Sequence, residues 1–386
     1  MKKGLILLIA FLMVCIAFAG CTMPAGDGAE PAADDQTAAE DPQSEDTAEA
    51  PADAPADSDK PLVAFLMPTK EQPIWAAYGT RLVEAFENAG YPTSLEYAED
   101  STERQVSQVE NALLKGAKYI ILASVDSYAV SDVTEKAKAD GATIIACDRL
   151  IMNTEAVDYY LTFDLVRMGE IQGEYIESAL GLADGKGPFN LEIFSGSPDD
   201  ANSIPFYEGA MSVLQKYIDS GKLVVRSEQT SLDVTGTLKW DSATAQSRMD
   251  NILSSYYSSG EKVDAVLAAA DCLALGIISS LDSMGYGQSA DMPFPVVVGQ
   301  DCEITAIKSI LADKQSMSVF LDPVVMSGKM VELVDALTAG GKPETQTTYN
   351  NDMIDVPTVL YDPVLVTKDN YDILIDRGFY TEEDLA

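Results

Sequence analysis

The chain has 386 residues, with 62 acidic side chains against 25 basic ones, no histidine, and a formal net charge of −37 at pH 7. An acidic surface of that size argues against partners that are nucleic acid or an anionic membrane face. Without histidine, nucleophilic sites of the Ser-His-Asp and Cys-His kinds are excluded. Beyond Cys21 the cysteines are Cys147, Cys272 and Cys302, without metal-ligand spacing. They read as small buried apolar side chains, so neither a metal nor a cofactor is expected.

The N-terminus points to an exported lipoprotein. Lys2 and Lys3 precede an apolar run over 5–18, followed by Ala19, Gly20 and Cys21. The run is short for a membrane span and reads as a signal peptide over 1–20, with Cys21 the lipidated residue. Residues 21–60 form an acidic Ala/Pro-rich tether. Positions 22–59 carry 12 acids and no Lys, Arg, aromatic residue, Leu, Ile or Val. Such a segment buries too little apolar surface to offset its ordering entropy. The expected location is extracytoplasmic, with a lipid holding the chain to the outer face of the cell membrane.

From residue 61 onward, short apolar strands alternate with amphipathic helices. The first strand covers 62–67. A helix carrying Tyr78, Leu82, Val83 and Phe86 follows and stops at Gly90. A second helix shows Val106, Val109 and Leu113 on one face, with Asp100 and Ser101 as caps. Strands follow over 119–124, 143–148, 159–164 and 189–194, then a helix over 201–221. Further strands cover 265–271, 295–301 and 317–322, before a helix from Pro323 to about residue 337. Continuous Val, Ile, Leu and Phe runs mark strands buried on both faces. The fold class is therefore α/β, with two doubly wound parallel-sheet lobes. The N-terminal lobe is expected over 61–163 plus about 322–350, and the C-terminal lobe over 164–321 plus about 351–386.

The chemistry sits where these strands end. In open α/β sheets, ligands bind beyond the carboxyl ends of the strands. Those ends carry Asp148 and Arg149, Phe163 and Asp164, Asp200 in a Ser-Gly-Ser-Pro-Asp-Asp loop, Asp271, and Asp301. Carboxylates accept hydrogen bonds from hydroxyls and arginine donates a fork of them, which suits a sugar ring. Trp75, Phe163 and Trp240 supply aromatic faces for its C–H face. Aspartate after a strand also caps helices, and Asp271 before CLALGIISSL fits a cap better than a ligand contact. No phosphate-binding glycine loop is present.

The segments MPTK (67–70), ACDRLI (146–151), GKGPFNLEIFSGSPDDAN (185–202), GTLKWDSATAQSRMDNIL (236–253), GQD (299–301) and DVPTVLYDPVLVT (355–367) resemble the multiple-monosaccharide and xylose-binding periplasmic proteins of ABC importers. The resemblance runs from about residue 60 to the C-terminus. It implies a type I periplasmic binding protein, with two similar lobes joined by a three-strand hinge and closing on a monosaccharide such as xylose, glucose or galactose. It implies a permease and an ATPase as partners, a monomeric receptor, and no catalysis. By motif, Asp148, Arg149, Asp200, Asn202 and Asp301 would bind hydroxyls, with Trp75 and Trp240 sandwiching the ring. Ile74, Leu165, Ala270 and Leu321 stand where family members carry polar ligand-type residues, which implies either a smaller, less polar or differently oriented sugar or the substitution of Lys70 for a lost cation. A sensory receptor docking on a membrane kinase or chemoreceptor is the alternative, and a glycosidase or epimerase the third reading.

Overall fold

The computed structural model describes residues 59–386. The signal peptide, Cys21 and nearly all of the tether lie outside the described residues. Lys60 is already part of the fold, its ammonium 2.9 Å from the Asp335 carboxylate and over the Tyr91 ring.

Three sheets organise the chain. The first contains β1 (Val63–Met67), β2 (Thr93–Tyr97), β3 (Tyr119–Leu122), β4 (Thr143–Cys147) and β5 (Val157–Phe163), joined late by β11 (Thr347–Asn350) and β12 (Asp355–Tyr361). The second contains β6 (Phe189–Phe194), β7 (Leu223–Val224), β8 (Ala265–Ala268) and β9 (Val296–Val297). A two-stranded ladder pairs β10 (Ser318–Phe320) with β13 (Val364–Val366). The strand orders are β11-β12-β5-β4-β3-β1-β2 and β7-β6-β8-β9. Each sheet thus opens with its second strand outside its first, the doubly wound pattern stated twice over. All pairings in both sheets are parallel except β11 with β12.

The strands form because their residues are buried on both faces. Every residue of β1, β3 and β8 is buried, and hydrophobic side chains dominate. Helices fill the crossovers. Pro73–Asn88 packs Tyr78, Leu82 and Phe86 inward. In Thr102–Leu114 the Ser101 side chain accepts from the Arg104 amide, satisfying one of the open donors at a helix start. Asp164 does the same for Leu165–Leu180 through the Arg167 amide, so that carboxylate is a cap.

The chain passes between the sheets three times. It leaves the first after β5, returns through helix Pro323–Thr338 to β11 and β12, and leaves again between β12 and β13. The helix Pro323–Thr338 is bound to the first sheet's side by Tyr91 and Tyr119, whose hydroxyls contact Asp335 and Thr338. The expected return to the second lobe at about residue 351 falls instead after Tyr361. Thr358–Tyr361 pairs in parallel with Tyr160–Phe163 and extends the first sheet, where Val356, Thr358, Val359 and Tyr361 are buried.

Candidate functional site

Where the two sheets present their strand ends to each other lies a narrow cleft. Its walls are Gln72, Ile74, Trp75, Asp148 and Arg149 from the first sheet's loops. Asp200, Asn202, Phe206, Trp240, Ala270, Cys272, Gln300 and Asp301 come from the second's. The strands at 143–148, 265–271 and 295–301 are shorter than the apolar runs suggest, and the residues past their ends turn out to form this wall.

Asp200 is the centre of the polar network. Its Oδ2 lies 2.9 Å from Arg149 Nε and accepts from Trp240 Nε1 at 3.2 Å, while Oδ1 accepts from the Asn202 amide at 2.9 Å. Arg149 and Asp200 are 6% and 4% exposed, so the ion pair is desolvated. The Arg149 Nε–H is out of line for a hydrogen bond to Asp200, which makes the contact chiefly coulombic. Arg149 is held from behind by Nη1 donating to the carbonyls of Ser124 and Val125, and its guanidinium sits 5.0 Å from the Trp75 ring centre. Burial raises the Asp200 carboxyl above the usual range despite Arg149.

Asp148 occupies the left-handed region at φ 63°, which aspartate tolerates better than bulkier residues. Its carbonyl accepts from Tyr160, Thr162 and the Asn202 side chain, which fixes the loop. Burial, and then the charge of Asp200, push the Asp148 carboxyl up to about 7. Asp301 has φ 92°, and its amide donates to the Val319 carbonyl. Burial and the charges of Asp271, Glu303 and Asp148 raise its carboxyl as well.

Two consecutive left-handed residues, Lys239 and Trp240, aim the second indole into the cleft. Ser197 Oγ accepts from the Lys239 amide at 2.6 Å and sets that turn. Gly196 is what makes room, since a Cβ there would lie 2.2 Å from the Trp240 ring. On the other side, Trp75 Nε1 donates to Gln72 Oε1 at 3.0 Å.

The two sides are in contact around the cleft. Gln72 Nε2 donates to the Lys239 carbonyl at 3.3 Å, and Lys239 Nζ to the Asp100 carbonyl at 3.1 Å. The Ser127 amide donates to the Asp199 carbonyl, and Ser127 Oγ accepts from the Ala201 amide. With Arg149 and Asp200, these bridges define a closed arrangement.

Seven of the expected contact residues come together here: Trp75, Asp148, Arg149, Asp200, Asn202, Trp240 and Asp301. Two do not. Phe163 lies behind the wall, stacked on Phe206 with ring centres 5.8 Å apart, and it is Phe206 that faces the cleft. Asp271 is fully buried, and its carboxylate accepts from Gln315, Ser318 and the Glu303 amide, so it ties second-sheet loops together. Nor does its side chain cap the helix Asp271–Ser283, whose N-cap is Ala270. Of the apolar replacements, Ile74 and Ala270 line the cleft. Leu165 and Leu321 are core residues away from it. Lys70 is exposed over the Tyr97 ring and contributes no cation. Gln72, Phe206, Cys272 and Gln300 were not foreseen. Only Gln300, beside Asp301 in the Gly-Gln-Asp turn, carries a sequence signal of its own.

Among the described residues, no helix is long and apolar enough to cross a membrane, and no group of three or more Cys, Asp or Glu is placed to hold a metal ion. The model of the periplasmic binding protein domain matches residues 63–343. The multiple sugar-binding periplasmic protein SbpA of Azospirillum brasilense is 50% identical over 326 residues, covering 84% of this chain and 91% of that protein. The D-xylose-binding periplasmic protein of Escherichia coli (strain K12) is 33% identical over 78% of this chain and 86% of its own. Among solved structures, an ABC transporter solute-binding protein from Clostridium phytofermentans with bound β-D-glucose superposes with a TM-score of 0.81 at 43% identity, covering 84% of this chain and all of that one. By its family model, its relatives and its fold, the chain belongs to the periplasmic binding protein family, in its type I sugar-binding branch.

Proposed function

We propose that this protein is the extracytoplasmic, lipid-anchored receptor of a sugar ABC importer and closes on one monosaccharide, with xylose, glucose and galactose the leading cargoes. The observation that carries the reading is the cleft itself. Carboxylates from both sides and two indoles converge on one cleft at the carboxyl ends of two doubly wound sheets. The sugar-binding names of the relatives and the glucose bound in the Clostridium phytofermentans structure point the same way.

In this reading Trp75 and Trp240 take the C–H faces of the ring. Asp148, Asp301 and Asn202 accept from or bridge hydroxyls. Arg149 and Asp200 hold the two sides together over the ligand. The first lobe takes β1–β5, the helix Pro323–Thr338 and β11–β12, and the second takes the remainder. Opening bends the three passages between them. Cys21 carries the lipid, and residues 21–60 let the receptor reach a membrane permease whose partner is a cytoplasmic ATPase.

Thermal unfolding against a panel of pentoses, hexoses and polyols tests the proposal. A ligand bound only by the folded form raises the melting temperature by mass action. One or two strong monosaccharide hits support the reading. A panel without a single shift removes the sugar from it.

A further inference from the structure

Most side-chain donors of the cleft are already committed within the protein. Trp75 donates to Gln72, Gln72 to the Lys239 carbonyl, Trp240 to Asp200, and the Asn202 amide to the Asp148 carbonyl. Arg149 gives Nη1 to two carbonyls and turns Nε toward Asp200, which leaves Nη2 for a ligand. Ile74, Phe206 and Ala270 have no polar side-chain atom to offer.

The acceptors are in the opposite condition. Gln300 is 7% exposed, and its Oε1 has no partner among the described residues. Gln300 adjoins Asp301 in the Gly-Gln-Asp turn, and both line the cleft. A buried acceptor left unmade carries a desolvation cost that a ligand donor would remove. The Asp148 and Asp301 carboxylates line the same space and repel each other. Against the three carboxylates of Asp148, Asp200 and Asp301 the lining has one cation, Arg149, and that cation is paired with Asp200. The cleft is rich in carboxyl oxygens and short of cations, so a cationic ligand would draw the raised carboxyls of Asp148 and Asp301 to their charged, accepting form.

We propose that the cleft prefers a monosaccharide bearing a protonated amine over its neutral parent sugar, the ammonium lying against Gln300 Oε1 and the Asp148 and Asp301 carboxylates. This rests on the reading of the cleft as a monosaccharide site. An ammonium brings three donors, no acceptor and the missing positive charge. Hydrogen bonds to it are charge-assisted, about twice as strong as those of a neutral hydroxyl.

The test is calorimetric titration of the full chain with D-glucose, D-glucosamine, N-acetyl-D-glucosamine and D-glucuronate, and with the galactose counterparts. Expected is a gain of about tenfold for at least one amino sugar over its parent, since one neutral hydrogen bond becomes charge-assisted. The N-acetyl form, which has lost the charge, should forfeit that gain, and the uronate should bind more weakly than the parent. Gln300→Leu should shrink the amine's advantage more than it weakens the parent sugar. Equal or weaker binding of the amine, with the parent bound, overturns the inference and leaves the monosaccharide reading standing. An advantage untouched by Gln300→Leu overturns the placement of the ammonium. If no sugar binds at all, the monosaccharide reading falls and the inference with it.

Discussion

Arg149 and Asp200 meet at 2.9 Å across the cleft, one from the loop after β4 and the other from the loop after β6, and both are almost wholly buried. Because Asp200 also receives the Trp240 indole and the Asn202 amide, the pair links the closure of the two sides to the geometry of the aromatic wall. An isolated ion pair of this burial gains little over an apolar replacement, but removing one partner strands the other.

Arg149→Met should therefore do two things at once. It leaves the Asp200 carboxylate buried without its cation, a change that typically costs about 3–5 kcal/mol. It also removes the guanidinium from the Trp75 ring. The melting temperature should fall and sugar affinity should drop by about a hundredfold or more. The double variant Arg149→Met with Asp200→Leu should recover part of the stability but none of the binding. Recovery of both would show that the pair is scaffold only.

Gly196 allows a test of Trp240 without touching the indole. A methyl group at that position would meet the ring at 2.2 Å and Ser203 Oγ at 2.4 Å, so Trp240 must move. Gly196→Ala should weaken sugar binding by about tenfold, matching Trp240→Ala, since a displaced ring loses its stacking contact. Titration calorimetry on both variants decides this, with circular dichroism to verify the fold. Wild-type affinity in Gly196→Ala would mean that the indole takes no part.

The pH dependence has an unusual sign. The Asp148 carboxyl stands at about 7 in the fold against 3.8 for an ordinary aspartate, chiefly through burial. Between those values the folded protein holds a proton that the unfolded chain has released, so stability falls as pH rises through this window. Glu303, also at about 7 through burial, acts in the same direction. Carboxyls lowered by hydrogen bonds or ion pairs, such as Glu177 and Asp335, lose their contribution only below the ordinary range. The sugar-free protein should thus melt higher near pH 5 than near pH 8. Asp148→Asn should flatten part of that slope. A melting temperature that climbs steadily from pH 5 to pH 8 in the wild type would refute the assignment.

How much of this was legible in the sequence depends on burial and on side-chain direction. Runs such as YIIL in β3, FNLEIF in β6 and PVVVGQD around β9 are apolar enough to announce themselves, whereas TSLEY in β2 is half-buried throughout and β7 contributes only two residues. The placing of β12 depended on which sheet receives it, a long-range pairing that no local pattern records. At the site, residue type was readable and orientation was not. Phe163 and Phe206 are stacked neighbours, and only the structure tells which ring faces the cleft. Asp271 and Cys272 are adjacent in a helix start, yet the carboxylate points into the scaffold and the cysteine lines the wall.

That last contrast separates two aspartates that look alike in sequence. Asp271 accepts from Gln315 at 2.6 Å, Ser318 at 2.8 Å and the Glu303 amide at 3.0 Å, and Gly299 has no room for a Cβ beside it. Asp271→Ala would strand three buried donors, at about 1–3 kcal/mol each. Asp301 lines the cleft wall instead, next to Gln300. Asp271→Ala should therefore lower the melting temperature of the sugar-free protein by several degrees, with affinity following only as far as the fold is lost. Asp301→Ala should leave that temperature level, or raise it by relieving repulsion with Asp148, while cutting affinity at least about tenfold. Melting curves and titrations on the two variants, taken without and with sugar, distinguish scaffold from site. The reverse pattern would exchange their roles and move the ligand deeper, toward Gln315 and Ser318.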